Sequence, residues 1–477
     1  MPPPIREKER AAILSSLGAG VVPSIGLHHI QVGRKPEISA ILNDLERIEQ
    51  GGAAVRFVVG RFGSGKSFFL NLVQTVALEK KFVVCRADVT TERRLSGSGT
   101  ARAMYSELMR NLATRSKPEG GALASVVERW VAEVAQQVTS AGGATADVEA
   151  KITESLRPLQ DLVSGYDFAA VLGAYYRGYA EHHSDLQAAA VRWLRGEYTT
   201  KTEARADLKV RSIIDDETYY DYLKLLAAFV RIAGYNGLLV CIDELVVLSH
   251  RLNNRQSRDR NYEAILRILN DCLQGSVEGL GFIFAATDEC LVDKRRGLFS
   301  YEALATRLAT NRFAGGALVD LSGPVITLSS LTPEDCFVLL HNIRRVFALG
   351  KDEDKVMPEA GIEAYLESCQ KRMGAAYFQS PRQTVKDFVG LLSVLQQNPG
   401  ADWRQLIAGI KTAAPSLEPS AVDEDNAPDA SARPGPEASP GTAAPPSPPA
   451  TPHSAGQPAA VAPRPGKDSD DLVSFKM

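Results

Sequence analysis

Apolar residues recur along this chain in two rhythms. Between Pro36 and Gln50 they fall at helical spacing (Ile38, Ile41, Leu42, Leu45, Ile48), whereas Val55 to Val59 is a short β-branched and aromatic run that predicts a buried strand. A shorter amphipathic helix is predicted over Ile5 to Leu17, followed by a loop from Val22 to Arg34. After the Val55 strand a glycine-rich turn leads into a helix over Ser67 to Leu78. A second strand, Phe82 to Cys85 ending in Ala87-Asp88, precedes a helix over Thr100 to Leu112. From about Ser116 to Tyr219 the pattern stays helical, with a Gly/Ala/Ser break at Ser140 to Thr145, and reads as a helical insertion. A helix over Tyr219 to Ala233 then leads to the continuous apolar runs Leu238 to Ile242 and Gly281 to Ala286, strands of the parallel-sheet type. Val325 to Leu328 is a last short strand. Helices follow over Pro333 to Ala348, Glu359 to Lys371, Pro381 to Gln396 and Trp403 to Ile410.

Strands separated by helices predict an α/β fold with a mainly parallel sheet between helical layers. The expected division is a core over residues 1–330, a helical lid over 331–411 and a tail over 412–477. The tail is rich in Pro, Ala and Ser and poor in aromatics, so it lacks the apolar surface to fold alone. It ends in an acidic-apolar peptide, Asp468 to Met477, that could dock on a partner or stay unstructured.

Composition narrows the class further. The chain has 477 residues, 44% apolar and 23% charged, and no run reaches the ~18 apolar residues of a membrane span. The first residues are charged and lack the apolar core of a secretory signal, which predicts a cytoplasmic protein. Six cysteines are scattered singly and predict buried, reduced thiols rather than a zinc site or disulfides. A net charge of −3 offers no global attraction to nucleic acid, so such binding needs a local patch.

The chemistry concentrates at Gly60-Arg61-Phe62-Gly63-Ser64-Gly65-Lys66-Ser67. A strand, a G-x-x-x-x-G-K-S loop and a helix in that order form the context of a phosphate-binding loop. Its glycines let successive N–H groups turn inward on phosphates at a helix N-terminus. Lys66 should reach the β- and γ-phosphates of ATP, and Ser67 should ligate Mg²⁺. Asp243 and Glu244 follow the strand at Leu238 to Ile242, which delivers both to the carboxyl edge of the sheet. Asp243 is placed to hold Mg²⁺, and Glu244 to orient and deprotonate the attacking water.

The order of these parts resembles an AAA+ ATPase of the origin-recognition initiator type. It runs from Gln31-Val32-Gly33-Arg34 through the phosphate loop and Ile242-Asp243-Glu244-Leu245 to Ala285-Ala286-Thr287-Asp288. The resemblance covers roughly residues 22 to 400, outside the helical insertion. It implies that Ile30 to Val32 help bind adenine and that Thr287, or Asp288 beside it, senses the γ-phosphate. It implies an arginine finger, Arg307 or Arg312, reaching the ATP of a neighbouring subunit, and a second sensor at Arg382 that couples the lid to nucleotide state. A narrower resemblance lies in Gly60 to Leu70, Arg86-Ala87-Asp88 and Pro381 to Val389. These stretches are similar to the ATP-binding proteins of bacterial BREX phage-defence systems, which implies action on foreign DNA together with a helicase partner.

The segment His250 to Arg260 follows the acidic pair as a basic loop carrying Arg251, Arg255, Arg258 and Arg260. These arginines could grip DNA phosphates, pair across a subunit interface or remain solvated. The family usually adds a winged-helix domain after the lid, where this chain runs into its Pro-rich tail, which weakens autonomous sequence-specific DNA binding. Two functions compete. One is an ATP-driven protein that works on DNA through a helicase partner, and the other a nucleotide-gated interaction switch that binds proteins only. A metabolic kinase fits less well, since it needs neither the lid arginine nor the finger-like segment.

Overall fold

The computed structural model describes residues 4–160, 162–313, 320–373 and 381–409. Its centre is a five-stranded sheet made of β1 (Ala53–Val59), β2 (Val83–Asp88), β3 (Leu238–Asp243), β4 (Leu280–Ala286) and β5 (Val325–Thr327). Every pairing is parallel and the spatial order is β2-β3-β4-β1-β5. β1, β3 and β4 are buried along their whole length, which explains why they read as unbroken apolar runs rather than alternating ones.

Alternate residues of these strands serve two faces. Val55, Phe57 and Val59 face one apolar cluster, whereas Ala54 and Val58 face another formed with α2 (Lys35–Glu49) and α3 (Lys66–Glu79). The first cluster is the larger. It takes in α4 (Thr100–Arg110), α11 (Tyr219–Ile232), α12 (Arg255–Gln274) and the insertion helices: α5 (Leu123–Ser140), α6 (Thr145–Ser155), α7 (Arg157–Gln160), α8 (Gly165–Ala180), α9 (Ser184–Leu194) and α10 (Lys201–Leu208).

The insertion therefore shares a core with the sheet. Trp130 and Phe168 meet Phe229 of α11 edge-on, and Trp193 meets Tyr222 of the same helix at 5.3 Å between ring centres. Edge-to-face contacts of this kind add to the burial of the rings.

After β4 come α13 (Asp288–Val292) and α14 (Glu302–Arg307), and after β5 come α15 (Pro333–Phe347), α16 (Glu353–Val356), α17 (Glu359–Met373), α18 (Pro381–Gln397) and α19 (Trp403–Gly409). The helices beyond β5 build a third cluster around Tyr365 and Phe388. Ile13 of α1 (Glu7–Gly18) and Ile30 belong to that cluster, and Phe68 of α3 packs on it. The N-terminal helix is thus a partner of the C-terminal helices.

The element bounds match the apolar pattern closely, with two local differences. The loop between α1 and α2 contains a 3₁₀ turn, Leu27–His29. The basic segment after β3 is a loop only in part: a π-helical turn, Val247–Arg251, and a short link lead into the first turns of α12, which Asn254 caps by accepting from the Ser257 N–H at 3.1 Å. All six cysteines are buried, and burial raises the Cys241 thiol to about 12. No helix among the described residues is long and apolar enough to cross a membrane. The tail lies outside the described residues.

Candidate functional site

β1 leads straight into the glycine-rich turn. Gly60 donates to the Ala286 carbonyl of β4 at 3.2 Å, which pins the start of the loop to the sheet. A Cβ there would lie 2.6 Å from Ser64 Oγ and 3.1 Å from the Leu328 carbonyl, so only glycine fits. Gly65 sits at φ +91° immediately before α3, a conformation other residues rarely adopt. The turn folds Ser64 inward, where its hydroxyl is buried with no hydrogen-bond partner, while Arg61 and Phe62 face solvent. Lys66 opens α3 and donates to the carbonyls of Gly60 at 2.8 Å and Arg61 at 2.9 Å. An ammonium has three donors, so one remains for a ligand above the loop.

β3 brings the acidic pair to the same place. Ser67 Oγ donates to Asp243 Oδ2 at 3.1 Å, across 176 residues of sequence. Asp243 Oδ1 accepts the Glu244 N–H at 2.8 Å. Glu244 itself lies at φ +59°, left-handed for a residue with a side chain, a strain that functional sites commonly carry. The parallel register sets Asp88, the last residue of β2, beside Asp243.

Three carboxylates therefore crowd one rim. Burial, then the charges of Asp243 and Asp88, hold Glu244 above the usual glutamate range; burial, then Asp243, raise Asp88. Burial lowers the Lys66 ammonium, opposed by the charges of Asp243, Glu244 and Asp288. The last of these places Asp288 near the lysine. Its neighbour Thr287 accepts the Cys290 N–H at 3.2 Å and caps α13.

A cleft opens over this rim. Its floor is Gly63 to Ser67 with Asp243 and Glu244. Its walls are apolar and come from the end of α1 (Leu17), the loop after it (Val21, Pro23, Ile30, Val32), α3 (Phe68, Leu72) and the later helices (Leu339, Val385). Arg382, in the first turn of α18, lines the cleft too and lies over the exposed Phe62 ring, 5.2 Å from its centre. Arg34, just past Val32, sits at φ +63° and donates to the carbonyls of Ser329 at 2.5 Å and Ser64 at 3.4 Å, fastening that loop to the phosphate-loop turn.

Other sequence candidates lie apart from the cleft walls. Arg307, at the end of α14, donates to Asn270 Oδ1 at 2.6 Å and to the Ala303 carbonyl at 3.0 Å. Arg312 is exposed and makes no hydrogen bond or ion pair among the described residues. Of the four arginines after β3, Arg251, Arg255 and Arg260 are exposed, but Arg258 is buried and donates to the Leu252 and Asn253 carbonyls at 2.7 and 3.1 Å. Arg258 therefore holds its own turn together and cannot grip a polyanion.

The motif reading quoted Asp88 and Arg34 without giving either a place in the site, and it missed the walls supplied by α1. Asp88 carried a signal, an acid ending a strand, yet its pairing with β3 is visible only once the strand order is known.

A parallel sheet whose first strand opens through a glycine turn onto a lysine, a serine and an acid-lined cleft defines an α/β protein of nucleotide-binding architecture. The comparison with known families agrees: the chain belongs to the family BREX system ATP-binding protein BrxC/D, whose model matches residues 5–411. No curated protein matches the chain. Family membership makes this an ATP-binding protein of BREX phage defence.

Proposed function

We propose that this chain is a Mg²⁺-dependent AAA+ ATPase of the origin-recognition initiator type, on the BrxD side of its family, that works in the cytoplasm with a helicase-containing partner on DNA. The observation that carries the reading is the meeting of Ser67 Oγ and Asp243 Oδ2 at 3.1 Å in the cleft that also holds Lys66. A hydroxyl and a carboxylate are the hard oxygen donors that Mg²⁺ prefers, and Ser67 and Asp243 would hold it. The ion, when bound, neutralises charge on the β- and γ-phosphate oxygens.

The backbone N–H groups of Gly63 to Ser67 and the remaining Lys66 proton would take the phosphates, with the base against Ile30 to Val32. Glu244 would accept a proton from the attacking water as its oxygen bonds the γ-phosphorus and the bond to the β-phosphate bridge breaks. Its raised proton affinity suits that task, because a base poised nearer neutrality accepts a proton more readily. Arg382 would reach the γ-phosphate from the lid, with Thr287 or Asp288 facing it from β4. Phe68, which belongs to α3 and packs on the lid cluster, supports mechanical coupling between nucleotide and lid. In a homo-oligomer Arg312 is the better finger, since Arg307 is already bonded to Asn270.

ATPase rate measured against protein concentration, with and without double-stranded DNA, tests this reading. Specific activity that rises with concentration and with DNA is the expected result. Activity independent of DNA, with partner binding that requires ATP, would instead favour a nucleotide-gated interaction switch.

A further inference from the structure

Two loops leave adjacent strand ends beside Glu244. One runs from β3 through the π-helical turn Val247–Arg251 into α12, and the other follows α13 and carries Asp293-Lys294-Arg295-Arg296. They are tied at two points. Arg296 Nη2 donates to Asn253 Oδ1 at 3.1 Å, and His250 Nε2 lies 3.6 Å from Asp293 Oδ2. From the helix side, the Tyr262 hydroxyl donates to the Arg296 carbonyl at 2.5 Å, so the pair has a fixed shape.

The solvent side of this pair is basic. Arg251, Arg255, Lys294 and Arg295 are exposed. Arg255 meets only Asp259, at 3.6 Å, and the other three make no ion pair among the described residues. The stretches that form this surface, Val247 to Asn254 and Asp293 to Arg296, carry no Phe, Trp or Tyr, whereas protein interfaces are enriched in aromatic anchors. Contacts to a phosphate backbone need arginine and lysine without such anchors.

We propose that this paired-loop surface binds the phosphate backbone of double-stranded DNA and that the π-helical turn between Glu244 and Arg251 links that contact to the nucleotide. The inference rests on the reading of the cleft as an ATPase site and adds to it a surface and a route. π-Helical turns are rare and recur at functional sites, and this one joins a left-handed catalytic candidate to an unpaired arginine.

The experiment is fluorescence anisotropy of a labelled duplex of about 20–30 base pairs, long enough to cover a typical protein footprint, titrated with the full chain at several salt concentrations. It is run with and without ATP on the wild type, Arg251→Glu/Arg255→Glu, Lys294→Glu/Arg295→Glu and the control Arg115→Glu, an exposed site on another loop. The wild type and control should bind, and each double variant should bind on the order of tenfold or more weakly, with the slope of log affinity against log salt shallower by about two. Wild-type affinity in both double variants, absence of salt-dependent DNA binding by the wild type, or equal competition by poly-glutamate would overturn the proposal. Fluorescent-nucleotide titration of the same samples judges the cleft separately, and the arm without ATP judges the surface even if nucleotide binding fails.

Discussion

The carboxyl rim of the sheet and the helical insertion solve opposite problems with the same kinds of residue. In the insertion the buried acid and the aromatic donors are satisfied, with Arg195 Nε the exception. Asp167 accepts from the Ser212 N–H at 2.8 Å and the Arg211 N–H at 3.2 Å, the Tyr198 hydroxyl donates to Asp207 at 2.7 Å, and the Trp193 indole donates to the Ser212 carbonyl at 2.9 Å. At the rim polar groups are not. Ser64 Oγ is buried without a partner, Glu244 is left-handed, and Asp88, Asp243 and Glu244 crowd together. An orphaned buried hydroxyl and repelling acids each destabilise the fold by about 1–3 kcal/mol, so they persist where a ligand can complete them. The insertion is built for the fold, and the rim for what it binds.

Substitutions can break or sharpen that contrast. The largest expected effect is that of Glu244→Gln, which should cut ATP turnover by about 10²–10⁴-fold with nucleotide affinity intact, as measured by steady-state phosphate release and labelled-ATP titration. Because burial and neighbouring acids raise Glu244, the acid limb of the wild-type kcat/KM profile should lie above the ordinary glutamate range, rising with pH as the base ionises. Trp193→Ala should do the reverse. It removes a fully buried ring and should lower stability by about 3–5 kcal/mol in urea melts, leaving the affinity of the folded protein for ATP unchanged.

Lys66→Ala should weaken ATP binding about 100-fold, a loss of ~2.7 kcal/mol in keeping with one charge-assisted contact. Arg382→Ala, on the exposed lid edge, should reduce turnover roughly tenfold or less, read from the same phosphate-release assay. The smallest effect is that of Asp88→Asn. Removing one of the charges that raise Glu244 should move the acid limb downward by less than about one pH unit. The raised proton affinities of Asp88 and Glu244 mean the folded chain holds protons that the unfolded chain releases. Stability therefore falls as pH rises from the ordinary carboxylate range through the raised values, and Asp88→Asn should lessen that fall and lift the melting temperature slightly at neutral pH.

Much of this was legible before any coordinates. β1, β3 and β4 announced themselves because strands buried on both faces must be apolar throughout, and the glycine loop and the acids after Ile242 are local patterns that local structure preserves. What was hidden depends on distant pairing. Asp88 gains its meaning from lying beside Asp243 in the sheet, and Arg258 is withdrawn from the basic surface because α12 starts earlier than a run of arginines suggests. The joining of Ile13 to the cluster around Tyr365 leaves no trace in the amphipathic pattern of α1, which shows that a face is buried but not against what.

The most direct measurement is a titration of fluorescently labelled ATP into the wild type and Asp243→Asn, each with Mg²⁺ and with EDTA. If Lys66, Ser67 and Asp243 converge on one triphosphate, Mg²⁺ should tighten binding to the wild type and do little for the variant. Equal enhancement by Mg²⁺ in both proteins, or none in either, would contradict that convergence.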